Sequence, residues 1–98
     1  MFRFQLHASD RDLLLAASDE ELIGRALRDG EVTIHISEQF YGREVADEVE
    51  LRDLLSRCTV ANLMGRRCVA LAVELGLVRS QNVIELGDVP HAQIARMR

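Results

Sequence analysis

The sequence predicts an α+β domain: a small mixed sheet of about four strands packed on two or three helices, in the order β-β-α-β-α-α-β plus a tail. Three observations carry this expectation. Residues 2–7 and 31–37 alternate apolar and polar side chains with the period of two that a half-buried strand requires. Residues 47–58 and 60–75 instead carry apolar side chains at helical spacing. The chain has 98 residues and is 48% hydrophobic, which suits one domain over 1–98 with a core of its own and no disulfide staples.

In the first strand, Phe2, Phe4 and Leu6 share the inward phase. Ser9-Asp10-Arg11 offers turn chemistry, and residues 12–17 read as a more buried second strand, so a hairpin is the simplest link. Ser18 followed by Glu21 has the spacing of a capping box, with Asp19 and Glu20 suited to a helix N-terminus. It predicts a short helix burying Leu22, Ile23, Ala26 and Leu27 and stopping before Asp29-Gly30. The third strand, residues 31–37, turns Val32, Ile34 and Ile36 inward, and an irregular stretch follows through Gly42.

The second helix covers about 47–58, with Leu51, Leu54, Leu55 and Cys58 at i, i+3, i+4 and i+7. Thr59 is placed to cap a third, central helix from Val60 to Leu75, closed by Gly76 in the left-handed conformation. Ala61, Gly65, Cys68 and Ala72 would form a ridge of small side chains on it. Close packing would then offset the cost of about 1 kcal/mol for Gly65 in a helix interior. A short strand over 83–86 precedes the tail, residues 89–94, which returns to a sheet edge where Pro90 is tolerated.

Net charge is −4, which argues against broad, non-specific nucleic-acid binding. The charge is uneven: residues 1–50 carry 5 arginines against 12 acids, and residues 51–98 carry 7 against 4. Such a split marks either an interacting face or simple mixing on a compact surface. Every basic residue is arginine, as biased codon usage or a need for planar guanidinium groups would give. At a helical separation of ten residues, Cys68 would be turned about 280° around the axis from Cys58 and moved about 15 Å along it, too far to pair. Unpaired thiols suit a reducing compartment, and no signal peptide or membrane span is visible, so the expected location is cytoplasmic.

Four strings stand in order: Ser37-Glu38-Gln39-Phe40-Tyr41-Gly42, Ala61-Asn62-Leu63-Met64-Gly65, Glu74-Leu75-Gly76-Leu77-Val78 and Val89-Pro90-His91-Ala92-Gln93-Ile94. In this order and spacing they resemble the archaeal family known as domain of unknown function 424, with a likeness running from the first strand to the tail. The resemblance implies a small archaeal cytosolic α/β protein and brings no established activity, substrate, cofactor or catalytic residue. It directs attention to Tyr41, Gly42, Asn62, Gly65, Pro90, His91 and Gln93.

Read for chemistry, His91 follows a rigid proline among apolar neighbours. It could act as an acid, a base or a ligand anchor, or be a structural imidazole bonded to a carbonyl. Asn62 and Gln93 have the same pair of readings, and the three make a candidate site if they converge. His7 and His35 lie on the outward phase of their strands, where a solvated polar face explains them better than a metal site of three or four ligands. Tyr41 is the one aromatic placed for exposure, a weak base-stacking platform. Arg66, Arg67, Arg79, Arg96 and Arg98 could form a phosphate-binding patch or an ordinary set of salt-bridged surface arginines. The phosphate-loop, dinucleotide, nucleophile-elbow and zinc-protease motifs are absent, so no cofactor or metal is expected.

The leading functional expectation is a binding module for RNA or a ribonucleoprotein particle, using the C-terminal arginines and the Tyr41 loop. A small enzyme or ligand-binding protein around His91, Gln93, Asn62 and Tyr41 is the alternative, and a protein–protein adaptor or homodimer is a third.

Overall fold

The computed structural model describes residues 1–96. Eight strands and three α-helices follow in order: β1 (Phe2–Ala8), β2 (Leu13–Asp19), β3 (Ala26–Asp29), β4 (Val32–His35), α1 (Glu38–Tyr41), β5 (Glu44–Ala46), α2 (Glu48–Arg57), β6 (Val60–Met64), α3 (Arg66–Glu74), β7 (Ile84–Leu86) and β8 (Val89–Ala95). Six strands form one sheet in the order β5-β1-β2-β6-β8-β7, and β3 and β4 pair separately. All neighbours in the large sheet are antiparallel except β2 and β6. The class is the α+β expected, with six strands rather than about four in the sheet.

One sheet face is covered throughout and the other in part, giving three layers. On one face Phe2, Leu15, Ala17, Ala61, Leu63, Ala92 and Ile94 meet Leu51, Leu54 and Leu55 of α2 and Cys68, Val69, Leu71 and Ala72 of α3. On the other, Ala16, Met64 and Val89 meet Leu22, Leu27, Ile36 and Tyr41, from the β3–β4 hairpin, its flanks and α1. This second cover explains most departures from the expected pattern, because central strands buried on both faces lose the apolar–polar alternation.

The expected helix over 18–28 does not form. Ser18 is fully buried in β2, opposite Arg3. A single 3-10 turn, Glu20–Leu22, follows, and Gly24 at φ 89° turns the chain into β3. The expected helix over 60–75 is a strand and a helix, broken at Gly65 with φ 111°. Asn62 therefore lies on β6, and the small side chains at 61, 65, 68 and 72 form no helical ridge.

Thr59 caps no helix. Its hydroxyl accepts from Leu13 N (2.9 Å) and donates to Asp12 Oδ1 (2.9 Å), tying the starts of β2 and β6 together. The third expected strand survives as β4, yet Val32 is 60% exposed and Ile36 is the residue fully buried. Helix α2 matches closely: Asp47 and Glu50 form a reciprocal capping box, and Leu51, Leu54 and Leu55 are buried. Gly76 takes the left-handed conformation expected after α3, at φ 75°.

The tail is no edge strand. β8 lies between β6 and β7, and Pro90 is accommodated by a local exchange of partners. Gly65 N donates to Pro90 O (2.9 Å). The reciprocal bond would need an N–H that proline lacks, and the Gly65 carbonyl instead accepts Val69 N of α3 (2.9 Å).

The start of α3 is capped from a distance. Gly65 has no side chain to offer, and the 3% exposed Asp19 at the end of β2 supplies one. Its Oδ1 accepts Cys68 N (2.8 Å) and its Oδ2 accepts Arg67 N (3.1 Å). A Cβ on Gly65 would fall 2.5 Å from Asp19 Cγ, so both the positive φ and the close approach require glycine there. Asp19 is thus a helix cap, as its acidic cluster suggested, but for a helix 48 residues away.

Candidate functional site

The register of β1, β2, β6 and β8 sets the candidate residues in rows across the second face. Asn62 stands directly opposite Gln93, and Met64 opposite His91. Gln5, Ala16, Asn62 and Gln93 form one row; Arg3, Ser18, Met64, His91 and Ile84 form the next. His91, Gln93 and Asn62 therefore share one face, as side chains two apart on β8 and one opposite on β6 must.

Each polar group is oriented by a specific contact. The Tyr41 hydroxyl donates to Asn62 Oδ1 (2.7 Å), which fixes the amide and leaves the two Nδ2 hydrogens directed away from Tyr41. Tyr41 is 7% exposed, so it supports Asn62 from beneath α1 and is no exposed stacking platform. Burial pushes its hydroxyl pKa up to about 12. Ser37 caps the α1 turn that carries Tyr41, accepting Phe40 N at 3.2 Å. His91 is 7% exposed, and its Nδ1–H donates to Leu63 O (3.0 Å), which leaves Nε2 as an acceptor. Burial holds its pKa below the usual 6.5, opposed by the Leu63 carbonyl.

Two hollows flank Gln93. One, of about 400 Å³, is bordered by Leu14, Val60, Asn62, Gln93 and Ala95. The other, of about 220 Å³, is bordered by Asn82, Ile84, His91 and Gln93. Gln93 is exposed and divides them, so one strip presents Asn62 donors, a Gln93 amide that can donate or accept, and a His91 acceptor, between apolar walls.

The arginines are not gathered in this way. Arg96 donates to Leu55 O (2.6 Å) and Ser56 O (2.8 Å), satisfying carbonyls at the end of α2. Arg67 bonds Glu21 Oε1 (2.7 Å) and lies 5.1 Å from the Phe2 ring centroid. Arg66 begins α3, whereas Arg79 follows the far end of that helix, and Arg96 lies beside Thr59 at the opposite end of β6 from Arg66. Arg98 lies outside the described residues. The cleft at the start of α3 sets Arg25, Arg66 and Arg67 against Asp19, Glu21 and Asp88, an even balance of charge.

His7 is half-buried, its Nε2 3.0 Å from Phe40 O and its ring stacked on Phe40 at 4.9 Å, while His35 is exposed on β4. Among the described residues no group of three or more His, Cys, Asp or Glu could hold a metal ion. Both cysteines are free and buried, Cys58 at the end of α2 and Cys68 within α3, with β6 between them. Among the described residues no helix is long and apolar enough to cross a membrane.

Sequence reasoning missed Phe40, the aromatic exposed beside His7, and the polar layer of Arg3 and Gln5 on β1. Arg3 Nε and Gln5 Oε1 are buried with no hydrogen-bond partner among the described residues. The alternation of β1 put both on the polar phase, but nothing in it indicated that α1 and the hairpin would cover that phase.

No curated protein matches the chain. Among solved structures, an uncharacterized conserved protein from Methanopyrus kandleri is similar, with a TM-score of 0.80 and 28% identity over 99% of this chain and 95% of the other. The family model described as "Protein of unknown function (DUF424)" matches residues 7–97. That match takes in every element after β1, including the strip around Gln93, and the chain belongs to the DUF424 family.

Proposed function

We propose that this chain is a binding module that recognises an uncharged, hydrogen-bonding group on the strip formed by Asn62, Gln93 and His91. The observation that carries the reading is the paired orientation: Tyr41 fixes the Asn62 donors, and Leu63 O fixes His91 Nε2 as an acceptor. Side chains preset in this way spend less of their binding energy on ordering. All three side chains of the strip are neutral near pH 7, so their chemistry is recognition of amide-like or heterocyclic edges rather than of an ion.

The test is an NMR titration of labelled protein with an N-acetyl dipeptide amide, with a nucleoside and with total RNA at two salt concentrations. Shifts centred on the side-chain amides of Asn62 and Gln93, abolished by Gln93→Ala, support the reading. Shifts confined to Arg66, Arg67, Arg79 and Arg96 that vanish at high salt would favour an RNA-binding module using the C-terminal arginines. No shift at residues 62, 91 or 93 with any of the three would end it.

A further inference from the structure

The sheet edge beside Gln93 is incomplete. β8 runs for seven residues, but β7 pairs with it over Val89–His91 alone. Which backbone groups this leaves bare follows from the ladder. Arg96 N donates to Thr59 O, and Gly65 N to Pro90 O (both 2.9 Å). Residues 90, 92, 94 and 96 therefore direct their backbone polar groups toward β6, and 89, 91, 93 and 95 direct theirs to the other side. β7 meets 89 and 91. Past its end, Gln93 and Ala95 present N–H and C=O groups with no backbone partner among the described residues.

Edges of this kind are usually blunted by a charge, a proline or a bulge. Here the bare stretch is Ala92-Gln93-Ile94-Ala95. The chain ahead of β7 turns aside as a 3-10 helix, Ser80–Asn82, leaving the hollow of about 220 Å³ where the next rung would lie. Ile84, at its margin, is 52% exposed. The sheet's other edge is also short of a strand, since β5 pairs with Phe2–Phe4 alone, but α1 folds over that side and Phe40 O contacts His7.

We infer that the partner of this site is an extended polypeptide strand carrying acidic side chains, added to β8 beyond β7. The inference rests on the reading of the strip given above and names its ligand class. Alternating outward N–H and C=O groups match another strand, and the hollow bounded by Asn82, Ile84, His91 and Gln93 receives one of its apolar side chains. Arg96 follows the bare stretch with its guanidinium turned to Leu55 O and Ser56 O at the end of α2, and the exposed Arg79 precedes the 3-10 turn, against one acid, Glu85, on β7. The charge at the edge therefore favours acidic residues in the incoming strand.

The experiment measures amide hydrogen exchange at Gln93 and Ala95 with an acetylated, amidated hexapeptide alternating valine and glutamate. At saturation, exchange at both amides should slow by about tenfold or more. A lysine-for-glutamate peptide should bind about tenfold more weakly, the sum of a few exposed charge contacts. N-methylation of the alternate peptide amides that face β8 should abolish protection, and N-methylation of the other set should not. Ala95→Pro should also abolish it, since that N–H points away from β6 and the inner ladder is kept. If the variant misfolds, the N-methylated pair still decides.

Peptide-induced shifts at Asn62 and His91 without protection at 93 and 95 would overturn the strand and leave the strip reading standing. Failure of this peptide together with the neutral ligands of the preceding section would overturn both. Protection arising without peptide, with concentration-dependent dimers in sedimentation, would make a second copy the occupant and overturn the acidic partner.

Discussion

Replacing Asp19 tests how far the fold depends on a helix cap delivered from another strand. In Asp19→Ala, Arg67 N and Cys68 N lose acceptors at 3.1 and 2.8 Å, at a site where Asp19 is 3% exposed. Loss of an N-cap costs about 1–2 kcal/mol, and loss of a partly buried charge at a helix N-terminus adds about 1 kcal/mol or more. We expect a destabilisation of about 3 kcal/mol, or a fall in Tm of roughly 12–24 °C for a domain of this size. Asp19→Asn keeps one acceptor and should lose about half as much.

The same geometry predicts coupling to Gly65. A Cβ there meets Asp19 Cγ at 2.5 Å and Oδ2 at 2.6 Å, so Gly65→Ala should cost more in the native background than beside Asp19→Ala. The strain of an alanine at φ 111° remains in both. Urea unfolding of the four proteins gives each difference. An Asp19→Ala protein within about 0.5 kcal/mol of native, or equal costs for Gly65→Ala in both backgrounds, would refute the reasoning.

Other outcomes follow from the buried titratable groups. The Tyr41 pKa rises from 10.0 to about 12 in the fold, so the native state retains its proton longer than the unfolded chain. Stability should therefore decline as pH rises from about 10 to about 12, and Tyr41→Phe should remove that component of the urea midpoint while costing about 1 kcal/mol for the bond to Asn62. The His91 pKa is depressed below 6.5, so its neutral form favours the fold: that stability is present above pH 6.5 and lost as pH falls through the depressed value. Nitrogen-detected NMR should show an Nδ1–H tautomer and a midpoint below 6.5; a midpoint at or above it would contradict the geometry. Burial raises the pKa of both Cys58 and Cys68, so a disulfide exchange reagent should modify them at the rate of unfolding and not faster.

The parts of the fold legible in the sequence were those with one apolar face. β1 alternates because α2 and α3 cover the Phe2 side and a polar layer lies on the other, and α2 shows its stripe because Glu48, Arg52 and Asp53 remain at its surface. Where both faces are buried, the signal inverted. Val60-Ala61-Asn62-Leu63-Met64 reads as apolar sequence broken only by Asn62, and only the positive φ demanded at Gly65 separates strand from helix. Gly24 was the same kind of break, hidden because Leu22, Ile23, Ala26 and Leu27 fit a helical stripe. The convergence of Asn62 with Gln93 does not follow from the sequence, since it depends on a strand register that Asn62, read as helical, cannot suggest. The burial of Tyr41 was hidden for a related reason: one turn of helix, capped by Ser37, rotates its ring under α1 and leaves Phe40 outside.

The long-range cap also bears on how the chain finds its register. β2 and β6 are parallel, paired from Leu14 with Val60 to Ser18 with Met64, across a connection too long for local contacts to guide. A slip of one residue would carry the Asp19 carboxylate about 3.3 Å along the strand and turn it to the opposite side of the sheet. The first turn of α3 would then have two uncovered amides, so a misaligned sheet is penalised at once by a frayed helix. One aspartate lets the fold check strand alignment and helix formation against each other.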